Sequence, residues 1–456
     1  MSKPRETKRG RPSEALERFF FIRRGPLITA SIIIFLAMLT LHIFQVQLSK
    51  RPILLGNENS HIKLLHSIVT RHTFTIISPV GTDVSYYRGK YYSNKPPGFP
   101  FLLAPPCYLY LKLSGNDDMS RTFLFAKVSN AVFSALTIVC IFLFLSTFKL
   151  SRASILFGLI AATFGTIFPA YSTLANSHPL SFFLCTFSIL FFRLSQIQRE
   201  KSYLWAVSLF AAVYAIIVDY SNGFFLLPLI IVIWIKALKE KKFIVAILVS
   251  AFAISPHFFY SYKAFSNPFV PAYFHYKPPT RMYIHWEGAR ETMRLRNIPH
   301  GLYGLLFSPA RGIFLLSPVT ILGVIGSWQA LRARNWSLVL ITLMAITGIL
   351  ITSAYSLWHG GPCIGYRHIL IAAIILSMLS SFVYERCKRW TRAIANLLLI
   401  FSCFTGIMSF FIQLDYSLLS LTWKWQAQPA DIHANFYTEL LYPYIKKHCL
   451  DFVLRK

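Results

Sequence analysis

The chain has 456 residues, with 46 Lys and Arg against 17 Asp and Glu, so its formal net charge is +29. A soluble nucleic-acid-binding protein of that charge would not contain 55% hydrophobic residues and 41 Phe. Charged residues are only 14% of the chain, which excludes an intrinsically disordered protein. The composition predicts an all-α polytopic membrane protein without a nucleic-acid partner, whose surplus charge orients the chain and contacts membrane lipids.

Eleven apolar runs are close to the ~20 residues that cross a hydrocarbon core. They are residues 26–47, 123–148, 154–174, 178–194, 203–219, 223–235, 243–259, 313–331, 337–356, 369–384 and 393–411. Basic residues fill the tail 1–25 and four short loops, at 193–201, 236–242, 332–334 and 386–392. Cytoplasmic segments of membrane proteins carry an excess of Lys and Arg, so the tail and the four loops are predicted to lie inside the cell.

Residues 99–113 form a further apolar segment. If this segment also crossed the membrane, the four basic loops would face outward. It is short and contains Pro105-Pro106, so we predict that it lies at the outer interface. Eleven crossings then put the N-terminus in the cytoplasm and the C-terminus outside the inner (plasma) membrane.

The predicted organisation is one transmembrane domain, residues 26–412, between the tail 1–25 and a small extracytoplasmic tail, 413–456. Two outer loops are long, 48–121 and 261–311, and the others are brief. Neither half of the chain repeats the other, unlike many secondary transporters. Unequal outer loops are typical of an enzyme whose active site lies at the outer face. The seven cysteines are odd in number and form no Cys-x-x-Cys pair, so we expect buried thiols rather than disulfides or a metal site.

Few acidic residues are available outside, and a carboxylate is the usual base that activates a hydroxyl. Glu58 precedes an amphipathic pattern of apolar residues at helical spacing, where the helix dipole would favour its charge. The alternative is a helix N-terminal charge without chemistry. Asp219 ends an apolar run near the outer face and fits a functional or a structural role equally. Glu287 and Glu291 share a helix face that we expect to be solvated.

The block 83–98 combines Asp83, four tyrosines, three cations and a Pro-Pro-Gly turn. Arg88-Gly89-Lys90 is predicted to turn the chain between two short extended pieces. Lys95 and Arg88 could meet a phosphate, and Tyr92 could stack on a sugar ring. An aromatic membrane belt with snorkelling cations explains the composition equally well.

Two further segments place an arginine beside glycines at an outer helix mouth, Arg311 in 304–312 and Arg367 in 358–368. Glycine lets the backbone approach a ligand, and arginine binds phosphate bidentately. Contact with lipid headgroups explains each one alone. Their occurrence together, on the side of Glu58 and Lys95, favours a shared anionic ligand. His178 lies at another outer mouth, as a hydrogen-bonded interface residue or as a ligand.

These motifs resemble the GT-C glycosyltransferases that use polyprenyl-phosphate sugars, the group of protein O-mannosyltransferases and the bacterial aminoarabinose transferase. The matching segments are Glu58-Asn59-Ser60-His61, residues 89–98, 165–173 followed by His178, 304–318 and 358–367. The resemblance implies a GT-C fold with juxtamembrane helices in the first outer loop. It places the catalytic carboxylate on Glu58, where the family usually has Asp, with Asp83 as the alternative. It places the phosphate-binding lysine on Lys95. Position adds Arg311 and Arg367, and Arg88, Tyr92 and His178 are the further candidate phosphate or sugar ligands.

The implied reaction is inverting transfer of a monosaccharide from a polyprenyl-phosphate donor to a lipid, glycan or protein acceptor at the outer face. Glu58 would accept the proton of the acceptor, while Lys95 with Arg311 or Arg367 would stabilise the departing phosphate. No cofactor is expected to be required, and a divalent cation is left open. A flippase or transporter of a lipid-linked or anionic solute is one alternative, which would need polar groups along a membrane path. A glycan polymerase or ligase is the other.

Overall fold

The computed structural model describes residues 24–49, 56–78, 83–198, 200–201, 203–275, 293–360, 363–415 and 435–450. Most of the predicted tail 1–25, Glu287, Glu291 and much of the tail 413–456 lie outside the described residues.

The helices, numbered in chain order, are α1 (Arg24–Leu48), α2 (Gly56–Arg71), α3 (Gly98–Ser114), α4 (Met119–Ser146), α5 (Arg152–Thr163), α6 (Phe168–Tyr171), α7 (His178–Ile197), α8 (Tyr203–Val218), α9 (Asn222–Lys239), α10 (Phe243–Phe265), α11 (Ile298–Phe307), α12 (Ile313–Leu316), α13 (Val319–Arg332), α14 (Trp336–Ala354), α15 (Leu370–Arg386), α16 (Arg389–Leu414) and α17 (Tyr442–Ile445). Strands β1 (Val84–Tyr87) and β2 (Lys90–Ser93) lie between α2 and α3. The 3₁₀ turns are Ala272–His275, Leu295–Asn297 and Arg367–Ile369, and the π-helical turns Tyr437–Leu441 and Lys446–Leu450 flank α17.

Within these ranges, eight helices are long and apolar enough to cross a membrane, so the chain is a multi-pass membrane protein. They are Gly25–Leu48, Met119–Ser146, His178–Ile197, Asn222–Lys239, Phe243–Phe265, Trp336–Ala354, Arg367–Arg386 and Arg389–Leu414. The other three predicted crossings are helical but shorter: α5 followed by α6, α8, and α12 followed by α13. The break between α12 and α13 falls at Pro318, which has no backbone N–H to donate.

The apolar segment predicted at the outer interface forms α3, with Pro105 and Pro106 inside the helix. Its 17 residues span about 26 Å, less than the ~30 Å of a hydrocarbon core. It packs against α2, α4, α8 and α10. Among the long helices, α13 packs on α15, α7 on α8, and α4 on both α1 and α7.

The two strands form an antiparallel hairpin after α2, in the register Val84 opposite Ser93 and Tyr87 opposite Lys90. Arg88 and Gly89 both have positive φ, 47° and 77°, as the two-residue hairpin turns require. The predicted turn between two extended pieces is therefore confirmed. Because Val84 faces Ser93, the register brings the residues just outside both strand ends, Asp83 and Lys95, close together.

Candidate active site

Glu58 lies in the first turn of α2, which confirms the predicted helix start. Its side chain is only 8% exposed, and its Oε1 accepts a hydrogen bond from the backbone N–H of Ala175 at 3.0 Å. The apolar face of α2 is buried as predicted, with Ile62 and Leu65 fully covered. The polar side chains of the first turns are buried too. Glu58 therefore lies inside the protein and contacts the segment before α7, rather than pointing into bulk solvent.

Asp83 and Lys95 form an ion pair, with Lys95 Nζ 2.9 Å from Asp83 Oδ2. Burial lowers the pKa of Lys95, but the charge and hydrogen bond of the Asp83 carboxylate, together with Tyr273, outweigh burial and raise the pKa. Lys95 therefore stays charged. The backbone N–H of Asp83 donates to the carbonyl of Gly56 at 3.3 Å, which joins the ion pair to the start of α2.

Ser93 fixes the backbone beside Lys95 through three elements. Its hydroxyl lies 2.6 Å from that of Ser60 on α2 and accepts the backbone N–H of Lys95 at 3.1 Å. Its carbonyl accepts the hydroxyl of Tyr260 on α10 at 2.8 Å. Hydrogen bonds to α2 and α10 therefore fix the backbone from which the Lys95 side chain extends.

His61 connects the Glu58 helix to the opposite wall of the site. It follows Glu58 by three residues, on the same side of α2, and is 1% exposed. Burial holds the pKa of His61 well below 6.5, and the nearby charges of Lys95 and His178 lower it further. His178 begins α7, with its Nδ1 3.6 Å from Oδ2 of Asp219. Glu58, Lys95, His178 and Asp219 thus surround one region.

Tyr273, in the second long outer loop, covers the Lys95 side of this region. The ring centroid of Tyr273 lies 5.5 Å from Lys95 Nζ. Burial raises the pKa of Tyr273, against the opposing effect of the Lys95 charge. An aromatic ring beside a fixed cation can pack on a sugar attached to a phosphate.

The loop between α14 and α15 supplies Arg367. Among the described residues, Arg367 Nε is buried without a hydrogen-bond partner. Its positive charge lowers the pKa of Lys95. Gly360 has φ +78°, and a Cβ there would lie 2.9 Å from Arg367 Nε. Glycine leaves room for the guanidinium, as the sequence pattern suggested.

Arg311 forms hydrogen bonds to the loop between α14 and α15. Its side chain is fully buried, and its guanidinium donates to the carbonyl of His359 and to the carbonyl and Sγ of Cys363, the last two at 3.4 and 3.2 Å. These bonds fix the segment that carries Arg367. Arg367 is therefore the better placed of the two arginines to meet a ligand.

The other two predicted ligands lie apart from this region. Arg88 is at the exposed hairpin tip, where it donates to the hydroxyl of Ser266 at 3.4 Å. Tyr92 is buried in an aromatic cluster, with its ring 5.3 Å from that of Phe265. The roles of the predicted site residues stay predictions. Sequence reasoning missed His61, which the three-residue spacing from Glu58 could have indicated, and Tyr273, for which we find no sequence signal.

Within the described ranges, no three His, Cys, Asp or Glu side chains converge as the ligands of a metal ion would. The expectation that a divalent cation is optional stays a prediction.

No protein-family model matches the chain, and no curated protein matches it either. Among solved structures, the chain is similar to the crystal structure of ArnT from Cupriavidus metallidurans bound to undecaprenyl phosphate. The two sequences are 13% identical, the match covers 89% of this chain and 72% of that one, and the TM-score is 0.50. At this identity the likeness shows the fold alone. The prediction of an all-α polytopic membrane protein with a GT-C fold is thereby confirmed.

Proposed function

We propose that this protein is a membrane glycosyltransferase that transfers a monosaccharide from a polyprenyl-phosphate donor to an acceptor hydroxyl or amine. The observation that carries the proposal is the pair of partly buried cations, Lys95 and Arg367. Lys95 keeps its charge beside Asp83, and Arg367 Nε has no hydrogen-bond partner among the described residues. A buried donor without a partner is costly, and a phosphate oxygen would satisfy it. The molecule bound in the solved ArnT structure is undecaprenyl phosphate.

Glu58 is the proposed base. The N–H of Ala175 orients its carboxylate, as charge-assisted hydrogen bonds do. The acceptor oxygen or nitrogen attacks the anomeric carbon and forms the new glycosidic bond while its proton passes to Glu58. The bond between that carbon and the phosphate oxygen breaks, and its electron pair leaves with the phosphate. This single displacement inverts the anomeric centre.

The departing polyprenyl phosphate gains negative charge, which Lys95 and Arg367 stabilise. Preorganised donors at the point where charge develops contribute strongly to catalysis in a dry site. Lys95 has three N–H donors, so it can keep its contact with Asp83 while it binds a phosphate oxygen. Asp83 is then the residue that holds Lys95 in place, and Glu58 is the proposed base.

The donor would enter from the outer leaflet, with the site on the extracytoplasmic face and the N-terminus in the cytoplasm. The acceptor would be a lipid, a glycan or a protein, and bilayer lipids would surround the helices. We propose that cationic side chains alone stabilise the phosphate, with a divalent cation as an optional addition.

The test is transfer from undecaprenyl-phosphate mannose or undecaprenyl-phosphate glucose by the full chain in nanodiscs, together with binding of undecaprenyl phosphate. Glu58→Gln should lower turnover by roughly 10²- to 10⁴-fold while undecaprenyl phosphate still binds. Lys95→Ala should weaken that binding by roughly ten- to a hundred-fold, because it removes a charged hydrogen-bond donor. Lys90→Ala is the matched control, since Lys90 is exposed at the far end of the strand that precedes Lys95.

Near-normal turnover in both Glu58→Gln and Lys95→Ala would reject this mechanism. Movement of the intact lipid-linked sugar across the bilayer, without a glycosylated product, would favour the flippase. Addition of several sugars or of a preformed block would favour the polymerase or ligase.

A further inference from the structure

His178 and Asp219 form a pair on the wall of the site opposite Lys95, and the reaction described above uses neither. The imidazole Nδ1 lies 3.6 Å from Asp219 Oδ2. The other oxygen, Oδ1, accepts hydrogen bonds from the backbone N–H and the hydroxyl of Ser221, at 3.1 and 2.8 Å. The carboxylate is therefore held by the turn between α8 and α9, with one oxygen directed at the histidine.

The imidazole ring is also held by packing. Tyr171 meets it edge-on, with centroids 5.7 Å apart, and Phe182 stacks parallel to it at 6.2 Å. The side chain is only 6% exposed, and its Nε2 is buried without a hydrogen-bond partner among the described residues. A buried nitrogen in this state is costly unless a ligand or water completes its hydrogen bonding.

The direction of the missing hydrogen bond follows from the partner on the other nitrogen. The 3.6 Å separation is longer than a hydrogen bond, but the negative charge of Asp219 still favours the tautomer that carries the proton on the facing nitrogen, Nδ1. Nε2 is then left with its lone pair and requires a donor. Because it lies in the same region as Lys95, Arg367 and Glu58, the donor would be a group of the bound substrates. The chemical group that fits is a hydroxyl.

We propose that His178 is the acceptor of a hydroxyl hydrogen bond from a substrate, and that Asp219 is a positioning residue that sets its tautomer. This inference rests on the proposed glycosyl transfer and adds a subsite to it. The hydroxyl belongs either to the sugar of the donor or to the acceptor molecule, and both sources share this chemistry. The pair is thereby distinct from the phosphate-binding cations.

The experiment compares His178→Ala, His178→Gln, Asp219→Asn and the double variant His178→Ala with Asp219→Asn, in the full chain in nanodiscs. Two binding probes separate the phosphate from the sugar: undecaprenyl phosphate alone, and undecaprenyl-phosphate mannose or glucose. His178→Ala should weaken binding of the sugar-loaded probe by roughly ten-fold and leave undecaprenyl phosphate binding unchanged. His178→Gln should recover part of the loss, because its amide can place an acceptor near the position of Nε2.

If the hydroxyl comes from the acceptor, binding of both lipid probes stays unchanged and the KM for the acceptor rises instead, with the same partial recovery by His178→Gln. In either case Asp219→Asn should reproduce most of the loss, and the double variant should be no worse than His178→Ala, because the two residues act as one unit. His66→Ala is the control for folding, since His66 is a half-buried histidine of α2 that already contacts Thr122 at 3.0 Å.

Equal weakening of undecaprenyl phosphate and of the sugar-loaded lipid would show that the pair only shapes the phosphate site, and would overturn the inference. Additive effects of the two substitutions, or no effect of either, would also overturn it. Failure of the unaltered protein to bind undecaprenyl phosphate at all is a different result, because it would reject the proposed function itself.

Discussion

The site contains two candidate bases, Glu58 and Asp83. The structure gives each a distinct environment: Asp83 is paired with Lys95 at 2.9 Å, whereas Glu58 accepts a backbone N–H from the segment before α7. This difference arises from the hairpin register, which depends on the turn at Arg88 and Gly89. The distance from each carboxylate to Lys95 depends on this register and does not follow from the positions of the acidic residues in the sequence.

Asp83→Asn tests this division of roles. Loss of the carboxylate leaves Lys95 without its partly buried counter-ion, so the free energy of unfolding should fall by roughly 1–3 kcal/mol. Undecaprenyl phosphate should recover part of that loss, because its phosphate can replace the carboxylate beside Lys95. Thermal unfolding with and without undecaprenyl phosphate measures both effects. A ligand-induced stabilisation smaller in Asp83→Asn than in the unaltered protein would contradict this arrangement.

His61 predicts how stability depends on pH. Burial, then Lys95 and His178, hold the pKa of His61 well below the 6.5 of an unfolded chain. Below pH 6.5 the unfolded state therefore binds a proton that the folded state does not, and stability falls by about 1.4 kcal/mol per pH unit for this group. Thermal unfolding at pH 7.5, 6.5 and 5.5 should show a shallower decline in His61→Asn than in the unaltered protein. The exposed control His72→Asn should keep the original slope, and equal slopes in all three proteins would refute the expectation.

At the scale of elements, the sequence was most informative where a local rule decides the structure. The helix start at Glu58, the hairpin turn and the long apolar helices all follow from capping, turn chemistry or hydropathy. The breaks inside the runs 154–174 and 313–331 were not predicted. Hydropathy measures the length of an apolar run. It does not show where a helix ends inside that run because of a proline or of packing against neighbouring helices.

Gly98 illustrates a contact between elements that only the fold explains. A Cβ at this first residue of α3 would lie 2.5 Å from the carbonyl oxygen of Ile217, at the end of α8. The hydroxyl of Tyr214 on α8 also donates to the carbonyl of Gly98 at 2.9 Å. The glycine therefore lets the segment after Lys95 pack directly on the helix that precedes Asp219.

Gly98→Ala should push α3 away from α8 and lower the free energy of unfolding by roughly 1–3 kcal/mol, as overpacking does. The two walls of the site would separate, so binding of undecaprenyl phosphate should weaken as well. Gly223→Ala is the matched control, because a Cβ there meets nothing closer than 3.8 Å. Thermal unfolding and lipid binding are measured for both variants. Equal stability and equal binding of the two would contradict the close contact between α3 and α8.

For the whole molecule, the predicted class and GT-C fold could be read from composition, hydropathy and a few motifs. The assembly of the site could not, because its members come from α2, the hairpin, the start of α7, the end of α8 and the loop before α15. Contacts such as Glu58 with Ala175 join residues 117 positions apart. Sequence patterns specify each element separately, whereas the packing of the long helices sets these distances.

The same contact bears on how many times the chain crosses the membrane. Between Glu58 and Ala175 lie α3, α4 and the pair α5 and α6. If all three crossed, the two residues would be on opposite sides of the bilayer, yet Glu58 Oε1 lies 3.0 Å from the N–H of Ala175. The contact therefore supports a non-crossing α3, as the eleven-crossing topology requires.

An odd number of crossings predicts that the two termini lie on opposite sides. Alkaline phosphatase fused after Lys456 should be active, because that enzyme folds only outside the cytoplasm. Green fluorescent protein inserted at the basic loop near Glu240 should fluoresce, because this loop, after α9, is one of the four predicted cytoplasmic loops. The reciprocal fusions are the controls and should be silent. Phosphatase activity at the Glu240 loop would place α3 across the membrane and put Lys95 and His178 on opposite sides of the bilayer, which would overturn the proposed site.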